Sequence, residues 1–129
     1  MEANKITYSV SEFSEIIGVS AHTLRFYERE GLIKVNRDVN NVRIYSDENK
    51  AWMESLLHLK NTGMSLKDMK KFAMWGHLGE ETMGDRLDLL KNHRKKVMEE
   101  LENLHHSLEH LDNKIQFYEN ELGDCFEQK

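Results

Sequence analysis

The stretch Ser20-Ala21-His22-Thr23-Leu24-Arg25-Phe26-Tyr27-Glu28-Arg29 gathers hydroxyl, imidazole and guanidinium donors beside two aromatic rings. An arginine grips a phosphate or a guanine edge through two parallel hydrogen bonds, and a tyrosine hydroxyl donates to a phosphate oxygen. Wound into one short helix, such side chains suit a DNA major groove. Basic residues return as Lys34, Arg37 and Arg43, a second set able to track a phosphate backbone. The duller alternative is a core helix, with Leu24 and Tyr27 buried and the arginines solvated.

Other chemistry is harder to assemble. There is no glycine-rich phosphate loop, no Cys or Ser nucleophile beside a His and no convergent carboxylate pair, so no catalytic residues, no enzyme and no cofactor are expected. The single cysteine, Cys125, cannot form an intramolecular disulfide. It reads as a free tail thiol, a redox switch or a metal ligand, and is the possible sensor. His106 and His110 have the i, i+4 spacing of a chelate but fall on the outer face of a heptad, where solvated histidines are ordinary, and no metal site is expected. Trp52, Trp75 and the scattered methionines suggest a filled core, with a small ligand cleft as the alternative.

The elements that would position these residues follow from caps and periodicity. Ser11 can cap a helix over Glu12–Ile17, with Phe13, Ile16 and Ile17 on its buried face, and Gly18 ends it. Ser20 can cap a second helix, Ala21 to Glu30, stopped by Gly31. Two short helices joined through a glycine form a helix-turn-helix. From Leu32 to Tyr45 apolar residues surround Asn40-Asn41, which reads as a β-hairpin wing. Asp47 caps a third helix to about Asn61, with Trp52, Met53, Leu56, Leu57 and Leu59 inward. Ser65 to Asp68 form a capping box for a fourth helix ending near Trp75, and Gly76, Gly79 and Gly84 punctuate a linker.

Leu87, Leu90, Arg94, Val97, Leu101, Leu104, Leu108, Leu111, Ile115, Tyr118 and Leu122 then alternate spacings of three and four, a heptad repeat with only Arg94 polar. A helix from Met83 to Glu121 would be about 58 Å long. Alone it would expose its seam, so it needs a partner helix. The flanking positions begin basic, with Arg86 and Lys91, and end acidic, with Glu119 and Glu121, which favours antiparallel pairing. Leu87 then faces Tyr118 of a second copy, and Cys125 falls near the second copy's residue 80.

The net charge of −5 is unevenly divided. Residues 1–75 carry +1 and residues 76–129 carry −6, so the acidity belongs to the second half. A DNA site needs only a local basic face. No apolar run approaches the roughly 18 residues that span a bilayer, and no signal-peptide pattern follows Met1. A cytoplasmic protein without membrane contact is expected.

In order, Tyr8-Ser9-Val10-Ser11-Glu12-Phe13, Gly18-Val19-Ser20, Thr23-Leu24-Arg25-Phe26-Tyr27-Glu28, Gly31-Leu32-Ile33, Arg43-Ile44-Tyr45 and Lys60-Asn61-Thr62-Gly63-Met64-Ser65-Leu66 resemble the mercury-resistance-regulator (MerR) family. The resemblance covers residues 8–75, and the family's dimerisation helix matches 82–122. It implies a homodimer whose winged domains bind a pseudo-palindromic promoter with an over-long spacer, distorting it so that RNA polymerase engages both promoter elements. By position, Arg25 and Tyr27 in the recognition helix, Arg43 and Tyr45 in the wing and Lys60 after the third helix would contact phosphates. The chain departs from the family pattern at Phe26, at Lys34-Val35 and at Asn41, where a hydroxylated ring, a proline and a glycine are usual. Because the chain ends just past the coil, a large effector pocket is not expected, and His58 stands where one branch carries a sensing cysteine.

The fold expected is mainly α: a winged helix-turn-helix at 8–75 after an extension at 1–7, a linker at 76–82, an antiparallel coiled-coil helix at 83–122 and a tail at 123–129. The DNA-binding set is Ser20, His22, Thr23, Arg25, Phe26, Tyr27, Arg37, Arg43, Tyr45 and Lys60. The dimerisation set is the apolar heptad series. The function expected is activation of transcription through double-stranded DNA in response to a stress or small-molecule signal. The rival is a coiled-coil adaptor whose winged domain binds protein.

Overall fold

The computed structural model describes residues 6–127, with side chains described through residue 123. Two units divide the chain, one up to Leu90 and one from Lys91 onward. The first unit holds β1 (Thr7–Tyr8), α1 (Val10–Ile17), α2 (Ala21–Arg29), β2 (Asn36–Arg37), β3 (Arg43–Ser46), α3 (Asp47–Asn61) and α4 (Leu66–Leu78). A 3-10 turn, Glu80–Thr82, leads into α5 (Met83–Glu127), whose first residues belong to this unit. The molecule is mainly helical, as its periodicity predicts.

The sheet has the order β1-β3-β2, antiparallel throughout, with Tyr8 opposite Tyr45 and Arg37 opposite Arg43. Thr7 pairs with Ser46, so the expected N-terminal extension stops short of Thr7. A strand this short has no periodicity to betray it; the pairing to β3 creates it.

The helix starts shift for a common reason. Ser9, not Ser11, caps α1: its Oγ accepts from the Glu12 N–H at 3.2 Å while Glu12 accepts from the Ser9 N–H at 2.9 Å. That backbone bond holds the Glu12 carboxyl below the usual range. Ser46, not Asp47, caps α3 in the same reciprocal way with Asn49, and Asp47 instead accepts the Tyr8 hydroxyl at 2.7 Å. In both cases a box with a residue three positions on satisfies two orphan groups where a single cap satisfies one. Ser20 caps α2 as expected; Ser65 caps α4 by accepting from the Asp68 N–H at 3.1 Å, a single cap in place of the expected box. Gly18 ends α1 at φ 84°, a backbone conformation that side chains disfavour.

The core joins Phe13, Leu24, Tyr27, Leu32, Ile33, Tyr45, Met53, Leu56, Met64, Met69, Phe72 and Ala73. Ile16, expected inward, is exposed; Phe13 and Ile17 form the buried face of α1. Phe13 stacks on Tyr45 with ring centroids 4.3 Å apart. Trp52 stacks on Phe72 at 5.7 Å and donates its indole N–H to the Leu32 carbonyl at 2.7 Å. Gly76 lies inside α4, not in a linker, because α4 passes Trp52 closely: a Cβ there would sit 2.7 Å from Trp52 Cη2. The turn between α4 and α5, Gly79–Thr82, is held by Thr82, which donates to the Trp75 and Gly79 carbonyls, and by Arg86, which donates to Gly79 at 2.9 Å.

In the second unit α5 continues without a break to Glu127, so Gly123 does not end it. Helix propensity elsewhere outweighs the roughly 1 kcal/mol that one glycine costs. Leu101, Leu104, Leu108, Leu111, Ile115, Tyr118 and Leu122 are exposed along this helix in the single chain. No helix among the described residues is long and apolar enough to cross a membrane.

Candidate nucleic-acid interface

Helix α2 is amphipathic in the sense its chemistry requires. Leu24 and Tyr27 turn into the core, while His22, Arg25 and Arg29 stand exposed. Ser20 holds the N-terminus in place, accepting from the Thr23 N–H at 3.1 Å and lying 3.0 Å from the Thr23 hydroxyl. Phe26 is half-buried, with the Arg29 guanidinium 5.8 Å from its ring centre. The helix thus satisfies both readings of its sequence at once, since burying one face is what presents the other.

Two clusters flank α2. On one side a groove of about 390 Å³ is lined by His22, Thr23, Phe26 and Tyr27 of α2, by Lys60, and by Met64, Leu66 and Met69. Lys60 lies in the last turn of α3, not after it, and is exposed. On the other side stands the wing. Its turn depends on Asp38, whose carboxylate accepts from the N–H groups of Asn40 at 2.8 Å and Val42 at 3.0 Å. Asn41 takes φ 64° in place of the usual glycine, and Asn does this at low cost. Lys34-Val35 is held without a proline: Asn49 Nδ2 donates to the Lys34 carbonyl at 3.0 Å.

Glu28 ties wing to helix. Its Oε1 accepts from Arg43 Nε at 2.5 Å, and its Oε2 lies 3.8 Å from an Arg37 nitrogen. Sequence reasoning passed over Glu28 as a site residue because a lone acid among cations looks like a solvated charge. Its signal lay in the arginines across the hairpin that need a counter-charge.

The tyrosines take a different place from the one expected of them. Tyr45 is 0% exposed and Tyr27 3%, and neither buried hydroxyl has a hydrogen-bond partner among the described residues. Burial, with Glu28 next, pushes the Tyr45 hydroxyl above its ordinary range. In the single chain both hydroxyls are buried and both rings pack in the core. Ser20, His22, Thr23, Arg25, Phe26, Arg37, Arg43 and Lys60 come together around α2. The Cys125 side chain lies outside the described residues. His106 and His110 are exposed on α5, and no group of three metal-ligating side chains occurs among the described residues.

A helix-turn-helix with a paired hairpin wing and a cationic helix face defines a winged regulator of the kind that reads nucleic acid. Residues 8–73 match the MerR HTH family of regulatory proteins, and the chain belongs to that family. An HTH-type transcriptional regulator of Haemophilus influenzae is 43% identical over 115 residues, 88% of this chain and 85% of the relative. Among solved structures, HiNmlR, a MerR family regulator lacking the sensor domain and bound to promoter DNA, superposes with a TM-score of 0.81 at 42% identity, covering 89% of this chain and 92% of that one. A MerR family transcriptional regulator from Listeria monocytogenes gives 0.87 at 31% identity, over 94% and 92%. These relatives are transcriptional regulators, not enzymes.

Proposed function

We propose that this chain is a homodimeric transcriptional regulator that grips promoter DNA with α2 in the major groove and the wing on the flanking backbone, and activates by distorting an over-long promoter spacer for RNA polymerase. The observation that carries the DNA-binding reading is the cationic set around α2: exposed Arg25 on the helix, exposed Arg37 and half-buried Arg43 on the wing, and Lys60 across the groove, with the His22 imidazole beside them as a hydrogen-bonding group. HiNmlR, with 42% identity over most of this chain, is itself bound to promoter DNA. The homodimer is supported by the α5 seam, where Leu104 is 67% exposed and Leu108 51% in the single chain. Such an apolar stripe is covered by a second helix in a stable protein. The charge gradient from Arg86 and Lys91 to Glu119 and Glu121 favours antiparallel pairing of the two copies, at about 0–1 kcal/mol per surface pair.

The test is a salt series of binding to the dyad-bearing promoter upstream of the chain's own gene. Arg25→Ala should weaken binding to this and to unrelated duplex alike and flatten the log–log salt slope by about one unit. An Arg25→Ala protein with unchanged affinity and slope would remove α2 from the interface.

A further inference from the structure

We propose that Glu28 is a specificity-determining positioning residue, whose carboxylate locks Arg43 and Arg37 of the wing onto the recognition helix so that the wing meets DNA in a single geometry. The proposal rests on the DNA-binding reading above. Glu28 is on α2, and its side chain is only 20% exposed. It accepts from Arg43 Nε at 2.5 Å and lies 3.8 Å from Arg37, which stands directly opposite Arg43 in the β2–β3 register. Arg37 in turn donates from Nη1 to the Asn41 carbonyl at 3.1 Å. One carboxylate therefore connects the helix to both wing strands and, through Arg37, to the turn at φ 64°. Without an anion between them, two guanidinium groups paired across a hairpin repel.

The bond to Arg43 uses only its Nε–H and leaves the terminal nitrogens for an incoming phosphate. Tyr45, two residues further along β3 and on the same strand face as Arg43, is fully buried, with its ring stacked on Phe13. A carboxylate on a DNA-facing surface repels every phosphate, so Glu28 lowers affinity for duplex of any sequence. What it returns is order. Two long cations held before binding lose little freedom on binding, and they fit only DNA whose groove width and bend bring phosphates to where they stand. Selectivity gained this way requires no base contact.

Wild type, Glu28→Gln and Glu28→Ala are compared as full chains, by fluorescence anisotropy on the promoter duplex and on a shuffled duplex, and by hydrogen exchange of the amides of residues 36–44 without DNA. Both variants should bind shuffled DNA about three- to tenfold more tightly, having lost a negative charge. Gln keeps an acceptor for Arg43 Nε, so it should hold the promoter-to-shuffled ratio within about twofold and leave wing exchange unchanged, whereas Ala should lose about tenfold of the ratio and speed exchange. Arg43→Lys removes the Nε donor and keeps the charge. It should lower the ratio without tightening shuffled binding, and it serves if Glu28→Ala does not fold. An Ala variant with the wild-type ratio, an equal loss on both duplexes, or unaltered wing exchange overturns the proposal. A wild type that does not distinguish the two duplexes instead overturns the promoter-binding reading, and wing exchange then decides the positioning role alone.

Discussion

Trp52 joins stretches that the sequence keeps apart. Its indole donates to Leu32, its ring stacks on Phe72 and lies 5.8 Å from the His77 ring, and its edge meets the Gly76 backbone. Gly76→Ala places a methyl 2.7 Å from Cη2, so the Trp52 ring or the α4 backbone must shift. A loss of about 1–3 kcal/mol is expected, read from urea unfolding with an unchanged m-value. His77 adds a pH dependence. Burial first, then the Lys34 charge, lower its pKa from the ordinary 6.5, and a bond to the Gly31 backbone opposes them. The unfolded chain therefore holds more protons below pH 6.5, so stability rises with pH in that window and falls as acid approaches the depressed folded value. Thermal midpoints between about pH 7 and 5.5 should drop in wild type and drop less in His77→Gln; parallel curves would separate His77 from the acid response.

Among the elements the wing is the most finely balanced, with a tip whose Val39 is fully exposed and a turn that no glycine relaxes. Asn41→Gly should be nearly neutral, while a β-branched Asn41→Val should cost about 1–2 kcal/mol of wing stability through its left-handed backbone. Hydrogen exchange at 36–44 reads this directly. Equal protection in the two variants would mean that Asp38 and Glu28 alone hold the turn. The helices were legible because 3.6-residue periodicity, and a serine at the start of each of α1 to α4, are local signals. The choice of Ser9 over Ser11 and of Ser46 over Asp47 was less so, because adjacent residues compete for one cap and the winner depends on a box partner and, for Asp47, on the hydroxyl of Tyr8.

For the whole molecule the decisive test is of the α5 seam. Leu104→Ala with Leu108→Ala should shift sedimentation from dimer to monomer, since each truncation costs about 2–5 kcal/mol where the leucine is fully packed against a second copy. A dimer that persists would place the interface elsewhere. In a Cys125→Ser background, Leu87→Cys mixed with Tyr118→Cys should cross-link rapidly between copies if the helices run antiparallel. Leu87→Cys linking to itself would instead establish parallel order.

The sequence alone determined the order of the helices, the helix-turn-helix, the hairpin and the continuous heptad, because each depends on residues within about one or two turns of one another. It also placed arginines and a lysine where a cationic face forms. Only the tertiary structure decided which rings leave that face: Tyr27 and Tyr45 look like phosphate donors in the chain, but Phe13 stacks on Tyr45 from 32 positions away and the fold closes over both hydroxyls. It likewise made Glu28 a hub across 15 positions and turned Gly76 from a linker residue into a helix contact. The physical reason is the same in each case. Burial and charge pairing depend on distances through space, and no spacing along the chain encodes them.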